Sequence, residues 1–172
     1  MIRQQEILAA NILIVDDMPA NVMLLEQLLR EIGYQQITST IDPHSVTALY
    51  DTNHYDLILL DLIMPGMDGF QVMEALSINA GDDYLPVLVL SAEPAHKLQA
   101  LSAGAKDFLS KPFDQIEIKT RIHNMLEVRL LYRQLELNNC KLKTMALHDG
   151  LTGLPNRLLL MDRLALAIAH AR

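Results

Sequence analysis

The chain is poor in cysteine and in long apolar runs, and it contains no tryptophan. Its single cysteine, Cys140, excludes an intramolecular disulfide and a zinc cluster built from thiolates, which suits a reducing compartment. No apolar run approaches the ~18 residues that a membrane helix needs. Residues 1–10 include Arg3 and Glu6 and lack the apolar stretch of a signal peptide. These absences predict a cytoplasmic protein.

Positive charge is also scarce, since 14 Lys and Arg residues stand against 21 Asp and Glu residues and leave a net charge of −7. Nucleic-acid phosphates and anionic membranes repel such a chain, so we expect neither as a partner. Hydrophobic residues nevertheless make up 51% of the 172 residues, which is enough for a packed core and argues against disorder.

Short apolar runs recur along the first two thirds of the chain, at residues 11–15, 36–40, 56–61, 86–91 and 107–111. Several are β-branched and nearly continuous, as expected for strands that are buried on both faces. Helical spacing fills the intervals, for example at Val22, Leu25 and Leu29, with Gly33 as the stop signal. The repeated alternation predicts an α/β fold with a five-stranded parallel sheet and helices on both faces.

Proline and glycine are both absent from residues 113–147, which predicts one long helix. An a/d heptad pattern runs along it through Met125, Val128, Tyr132, Leu135, Asn139, Leu142 and Ala146. An asparagine at an a position, here Asn139, favours parallel pairing in register. We therefore predict a parallel coiled coil between two chains. A single amphipathic helix on its own domain, or a second frame through Leu131 and Met145, is the alternative.

Polar side chains stand at the carboxyl ends of four predicted strands: Asp16 and Asp17, Asp61, Ser91 and Lys111. Ligands of open parallel sheets bind at this edge. Three converging carboxylates repel each other without a cation, and oxygen ligands of this kind suit Mg²⁺. A hydroxyl and an ammonium beside them can bind a tetrahedral dianion, which indicates phosphoryl chemistry. Taken singly, the same residues could be helix caps or a surface lysine.

Four motifs at these positions resemble the receiver domain of two-component response regulators: Asp16-Asp17, Leu60-Asp-Leu-Ile-Met-Pro-Gly-Met-Asp-Gly69, Ser91-Ala92 and Lys111-Pro112. The resemblance covers about residues 11–127 and implies a flavodoxin-like fold. It also implies that Asp61 accepts a phosphoryl group from a sensor histidine kinase or a phosphotransfer protein.

The same resemblance implies the role of each site residue. Asp17, Asp61 and the backbone carbonyl of Ile63 would bind Mg²⁺ directly, and Asp16 would act mainly through water. Lys111 would contact the phosphoryl oxygens, and Ser91 would hydrogen-bond them after transfer. Phe108 matches the aromatic switch position, and the Lys111–Pro112 bond matches one that is usually cis. Mg²⁺ is the cofactor that the acidic residues and the resemblance predict, and the chain has no phosphate-binding loop or zinc motif that would indicate another.

A second resemblance lies near the end of the sequence, in Asp149-Gly-Leu-Thr-Gly-Leu-Pro-Asn-Arg157. This segment is similar to the start of GGDEF domains, which make cyclic di-GMP, including those that are followed by an EAL phosphodiesterase. The GGDEF catalytic loop is absent from the sequence, so we expect no turnover enzyme in this chain. The longer protein would be a diguanylate cyclase, a cyclic di-GMP phosphodiesterase, or both.

The predicted organisation is an extension at 1–10, a receiver domain at 11–127, a linker helix at 128–147 and a truncated GGDEF start at 148–172. Phosphorylation of Asp61 would control homodimerisation through the linker helix and through the family's helix 4–strand 5–helix 5 face, and thereby the output domain. A hydrolytic phosphatase is disfavoured, because Ile63 stands where its general acid would be. An interaction module that phosphorylation does not switch is the remaining alternative, and the complete set of site residues argues against it.

Overall fold

The computed structural model describes residues 2–80 and 84–147, together with Leu154, Asn156, Leu160 and Met161. The chain forms two compact units, Met1–Leu131 and Tyr132–Arg172. The truncated GGDEF start predicted at residues 148–172 lies almost entirely outside the described residues.

A five-stranded parallel sheet forms the centre of the first unit, in the order β2-β1-β3-β4-β5. The strands are β1 Asn11–Val15, β2 Gln36–Thr40, β3 Leu57–Asp61, β4 Val87–Ser91 and β5 Asp107–Ser110. This arrangement confirms the predicted flavodoxin-like α/β fold. The chain order reverses between β1 and β3, which is where ligands of open sheets bind.

The α-helices that accompany the strands are α1 Gln4–Leu8, α2 Pro19–Ile32, α3 Val46–Asn53, α4 Gly69–Ala80, α5 Lys97–Ser102 and α6 Gln115–Leu147. One-turn 3₁₀ helices, Pro43–Ser45 and Pro94–His96, precede α3 and α5. Pro19 begins α2, and Gly33 ends it with φ of 110°, a left-handed conformation that suits glycine.

Apolar side chains cover both faces of the sheet, as predicted for parallel strands. Within β3, Leu57 and Leu59 pack in one core cluster, and Ile58 and Leu60 pack in the other. The first cluster includes side chains of α2 and α6, and the second includes side chains of α3 and α4. All four β3 leucine and isoleucine side chains are fully buried, so the strand ends are held rigidly.

The N-terminal helix α1 belongs to this core. Ile7 and Ala10 are only 3% and 2% exposed, and both lie in the same cluster as α2 and α6. Leu8 packs close to Gly33 at the end of α2. The sequence pattern did not indicate that residues before β1 pack on the domain.

The first part of α6 packs on the sheet through Ile118, Ile122, Met125 and Leu126. Met125 is 8% exposed, so it cannot be a seam residue between two chains, and the prediction that the seam begins there is wrong. Val128 is the next residue of the pattern and is 40% exposed. Among the described residues, no helix combines the length and the apolar character needed to cross a membrane.

Candidate functional site

The carboxyl edge of the sheet brings the predicted acidic residues together. Asp16 and Asp17 follow β1, and Asp61 is the last residue of β3. One carboxylate oxygen from each of the three lies within 4.8 Å of the others. Asp16 and Asp61 are 1% and 6% exposed, so little water reaches their charges. These hard oxygen donors fit a divalent cation such as Mg²⁺.

Lys111 places its ammonium between two of these carboxylates. Its Nζ donates hydrogen bonds to Asp16 Oδ2 at 2.7 Å and to Asp61 Oδ1 at 2.9 Å. The lysine side chain is only 20% exposed, which excludes the alternative of a solvated surface lysine. Because one ammonium faces three carboxylates, the site keeps a negative charge that attracts a cation.

The ionisation of Asp61 and Lys111 is coupled through this contact. Burial raises the pKa of Asp61, the Lys111 hydrogen bond and charge lower it, and the charges of Asp16 and Asp17 raise it, with a net shift upward. Burial lowers the pKa of Lys111, but the hydrogen bonds and charges of Asp16 and Asp61 outweigh that effect and raise it. Lys111 is therefore firmly protonated and helps to keep Asp61 ionised.

Asn21, which lies outside the predicted site motifs, completes the surroundings of Asp16. Its Nδ2 lies 3.0 Å from both carboxylate oxygens of Asp16, and the Met18 amide donates to Asp16 Oδ1 at 2.9 Å. A polar residue on the first turn of an amphipathic helix is ordinarily a solvent-facing one, so the sequence carried no signal for this contact.

Gly69 holds the backbone of Asp61 in place. A Cβ at position 69 would lie 2.5 Å from the Asp61 carbonyl oxygen and 2.9 Å from Leu62 Cα, so only glycine fits. The Gly69 amide also donates to the Leu62 carbonyl at 3.0 Å. Helix α4 begins there with a capping box, in which Asp68 and Gln71 each accept the other's backbone amide hydrogen.

Ser91 and Phe108, the predicted switch residues, are both buried. Ser91 is the last residue of β4, and its Oγ accepts a hydrogen bond from the Glu93 amide at 3.2 Å. Phe108 on β5 is 3% exposed and packs in the second core cluster. The Lys111–Pro112 peptide bond is cis, as the resemblance implied. The predicted role of the Ile63 carbonyl as a metal ligand stays a prediction, and the Ile63 side chain is half exposed.

Comparison with known proteins identifies the family of this fold and site. The model of the response regulator receiver domain matches residues 12–123. Response regulator PleD of Caulobacter vibrioides is 34% identical over 161 residues, which cover 90% of this chain and 35% of PleD. The transcriptional regulatory protein YvrH of Bacillus subtilis is 35% identical over 120 residues, or 69% of this chain and 49% of YvrH. The chain thus spans about a third to a half of the length of these curated relatives.

Solved structures give the same result. The receiver domain of the Francisella response regulator 1452 is 28% identical and has a TM-score of 0.61 over 69% of this chain and 97% of its own. The receiver domain of the sensor histidine kinase PA1611 of Pseudomonas aeruginosa is 27% identical, with a TM-score of 0.63 over 69% of this chain and 98% of its own. That structure has a magnesium ion coordinated in its active-site cleft.

Proposed function

Because the chain belongs to the response regulator receiver family of two-component signalling, we propose that Asp61 accepts a phosphoryl group from a sensor histidine kinase or a phosphotransfer protein. The observation that carries the proposal is the contact of the Lys111 ammonium with Asp61 beside two further carboxylates. A nucleophilic carboxylate, a fixed cation and a set of metal-ligand oxygens are the parts that phosphoryl transfer needs.

In the proposed reaction, a carboxylate oxygen of Asp61 attacks the phosphorus of a phosphohistidine. The P–O bond forms as the P–N bond breaks, and the imidazole nitrogen keeps the electron pair and takes up a proton. Lys111 Nζ, 2.9 Å from Asp61 Oδ1, is placed to stabilise the negative charge of the transferred group. Lys111 also favours the ionised form of Asp61, which is the nucleophilic form.

Asp17, Asp61 and the backbone carbonyl of Ile63 would hold Mg²⁺, and Asp16 would contact it mainly through water. Bound Mg²⁺ would neutralise the repulsion between the carboxylates and an incoming phosphoryl group. The acidic cluster and the magnesium ion in the related receiver structure support this assignment.

The proposed switch involves Ser91 and Phe108. After transfer, Ser91 Oγ would donate to a phosphoryl oxygen, and the change would reach the segment that begins with Glu93, whose amide now contacts Ser91. The ring of Phe108, which matches the family's aromatic switch position, is already buried in this structure, so the Ser91–Glu93 segment would carry most of the change.

In the proposed output, phosphorylation controls the pairing of two chains through α6 and thereby a cyclic di-GMP output domain. The proposed location of the protein is the cytoplasm. The GGDEF-like motif at 149–157 supports the output. Exposed apolar side chains along the second part of α6 support pairing, with Leu135 and Leu142 54% and 62% exposed. A receiver-like module that is not switched by phosphorylation remains the competing function.

Incubation with acetyl phosphate and Mg²⁺, followed by mass spectrometry of the intact protein, tests the proposal. The wild-type chain should gain one phosphoryl group, Asp61→Asn should gain none, and Asp51→Asn, which changes an exposed aspartate on α3, should behave like the wild type. Equal labelling of Asp61→Asn would reject Asp61 as the acceptor. A wild-type chain that binds neither Mg²⁺ nor beryllofluoride would favour the unswitched module.

A further inference from the structure

We infer that Asn21 is a positioning residue of the acidic site, which orients the Asp16 carboxylate and compensates its charge while Lys111 moves to the phosphoryl group. The inference rests on the function proposed above. It adds to the site a residue that lies outside the four motifs through which the sequence resembles its family.

The burial of Asp16 makes its carboxylate depend on hydrogen-bond donors from the protein. The residue is 1% exposed, so protein groups must replace the water that would otherwise solvate its charge. Asp16 Oδ1 accepts hydrogen bonds from Met18 N at 2.9 Å and from Asn21 Nδ2 at 3.0 Å. Asp16 Oδ2 accepts hydrogen bonds from Asn21 Nδ2 at 3.0 Å and from Lys111 Nζ at 2.7 Å. Of these three donor residues, Asn21 is the one that contacts both oxygens.

Asp16 and a phosphoryl group on Asp61 would compete for the Lys111 ammonium. Its ammonium bridges Asp16 and Asp61, yet the proposed function requires it to contact the oxygens of a phosphoryl group on Asp61. As Lys111 turns to those oxygens, the buried Asp16 carboxylate loses its contact with the Lys111 ammonium. Such a loss is costly unless other donors stay in place.

Asn21 is held in place by the helix that carries it. It lies in the first turn of α2, where its backbone amide donates to the Met18 carbonyl at 3.0 Å. Asn21 and Lys111 also line a cavity of about 290 Å³ whose other lining residues are Leu24, Leu25, Pro112 and Phe113. Apolar surroundings strengthen hydrogen bonds between polar groups, so the Asn21–Asp16 contact should persist when Lys111 moves.

Isothermal titration of the full chain with Mg²⁺ tests the inference in the wild type, Asn21→Ala and Asn21→Leu. The leucine variant keeps the size of the side chain without its donor, and the alanine variant serves if leucine disturbs folding. We expect about a tenfold loss of Mg²⁺ affinity in both, the lower end of the ~10- to 100-fold range for groups that orient metal ligands. Gln27→Ala is the matched control, because Gln27 is an exposed amide on the same helix that contacts Glu31.

The nuclear magnetic resonance signal of the Lys111 ammonium distinguishes positioning from a merely structural role. Beryllofluoride with Mg²⁺ should shift this signal in the wild type and in Gln27→Ala, and should shift it less than half as far in the Asn21 variants. Affinities and shifts within twofold of the wild type in both Asn21 variants would overturn the inference and leave the proposed function intact. A wild-type chain that binds neither ligand would reject the proposed function itself.

Discussion

Arg129 on α6 and Asp56 ahead of β3 form a buried ion pair at the edge of the sheet opposite the acidic site, with Arg129 Nε 3.8 Å from Asp56 Oδ1. The two side chains are 6% and 7% exposed. Arg129 Nη1 also donates to the Tyr84 carbonyl, and Asp56 Oδ2 accepts from the Asn11 amide. This pair ties α6 to the amino ends of β1, β3 and β4.

Breaking this pair should destabilise the chain strongly. Removing one partner of a buried ion pair typically costs about 3–5 kcal/mol, because the other charge is left without compensation. We expect Arg129→Met to lower the free energy of unfolding by about that amount in urea denaturation. Arg30→Met, which removes a 66% exposed arginine from a surface pair with Glu26, should cost no more than about 1 kcal/mol. Equal effects of the two substitutions would contradict the prediction.

Removing Lys111 should destabilise the chain in a way that Mg²⁺ reverses. A solvated lysine could be removed at little cost, but here Lys111→Ala leaves Asp16 and Asp61 facing each other while nearly buried. We expect a loss of about 1–3 kcal/mol in the presence of a chelator and a smaller loss in excess Mg²⁺, which supplies the missing positive charge. Thermal unfolding under both conditions measures this difference. Lys97→Ala, at an exposed lysine of α5, should show neither effect.

The pH dependence of the site should be unusual for an aspartate. The pKa of Asp61 is raised in the folded chain, so its protonated form is favoured by folding. The contribution of protonated Asp61 to the stability of the folded chain is therefore fully present below the pKa of the unfolded state. It is lost as the pH rises through the pKa of the folded state. Carbon NMR of the Asp61 carboxyl should give a pKa above 3.8, and Mg²⁺ should lower it. A value below 3.8 without metal would show that the Lys111 contact outweighs burial.

Gly69→Ala should impair both folding and the site, because the new methyl group would lie 2.5 Å from the Asp61 carbonyl oxygen. Overpacking of this kind costs about 1–3 kcal/mol, and the shift of Asp61 should also weaken Mg²⁺ binding. In Gly104→Ala, the methyl group meets nothing within 4 Å, although φ is +109°. That control should cost about 1–2 kcal/mol of backbone strain and leave Mg²⁺ affinity unchanged. Equal Mg²⁺ affinities in both variants would contradict the predicted coupling.

Asn139→Leu should strengthen pairing of two chains if Asn139 occupies a core position of a coiled coil, because a buried asparagine weakens such a seam. Analytical ultracentrifugation with and without beryllofluoride measures the fraction of paired chains. Beryllofluoride should change that fraction less in the variant than in the wild type. Asn138→Leu is the matched test of the second frame, since Asn138 lies midway between Leu131 and Met145. If the wild type and both variants stay monomeric at high concentration, α6 does not pair chains.

The sequence predicted the strands and the residues at their carboxyl ends because both follow from short-range patterns. Buried parallel strands are continuous apolar runs, and the topology alone brings Asp16, Asp61 and Lys111 to one edge. The burial of Phe108 follows from its place in the apolar run at residues 107–111, whereas its switch role was assigned through the family resemblance.

The contacts that the sequence did not predict depend on which face of a helix meets the core. The apolar residues of α6 continue from the core face into the heptad pattern, so Met125 fits both, and tertiary packing decides that it is buried. Arg129 and Asn21 are polar residues in amphipathic helices, where solvent exposure is the ordinary expectation. Their buried partners are distant in sequence or lie in a turn, and no local pattern indicates them.

The burial of Ile7 and Ala10 affects how this domain should be cut and fused in the laboratory. The family match begins at residue 12, so an expression plasmid designed from that match would omit both side chains and uncover the apolar surface shared with Leu126. Chimeras that graft this receiver onto another effector should therefore begin at residue 2. Purification tags belong ahead of that residue with a flexible spacer, so that α1 keeps its place on the core.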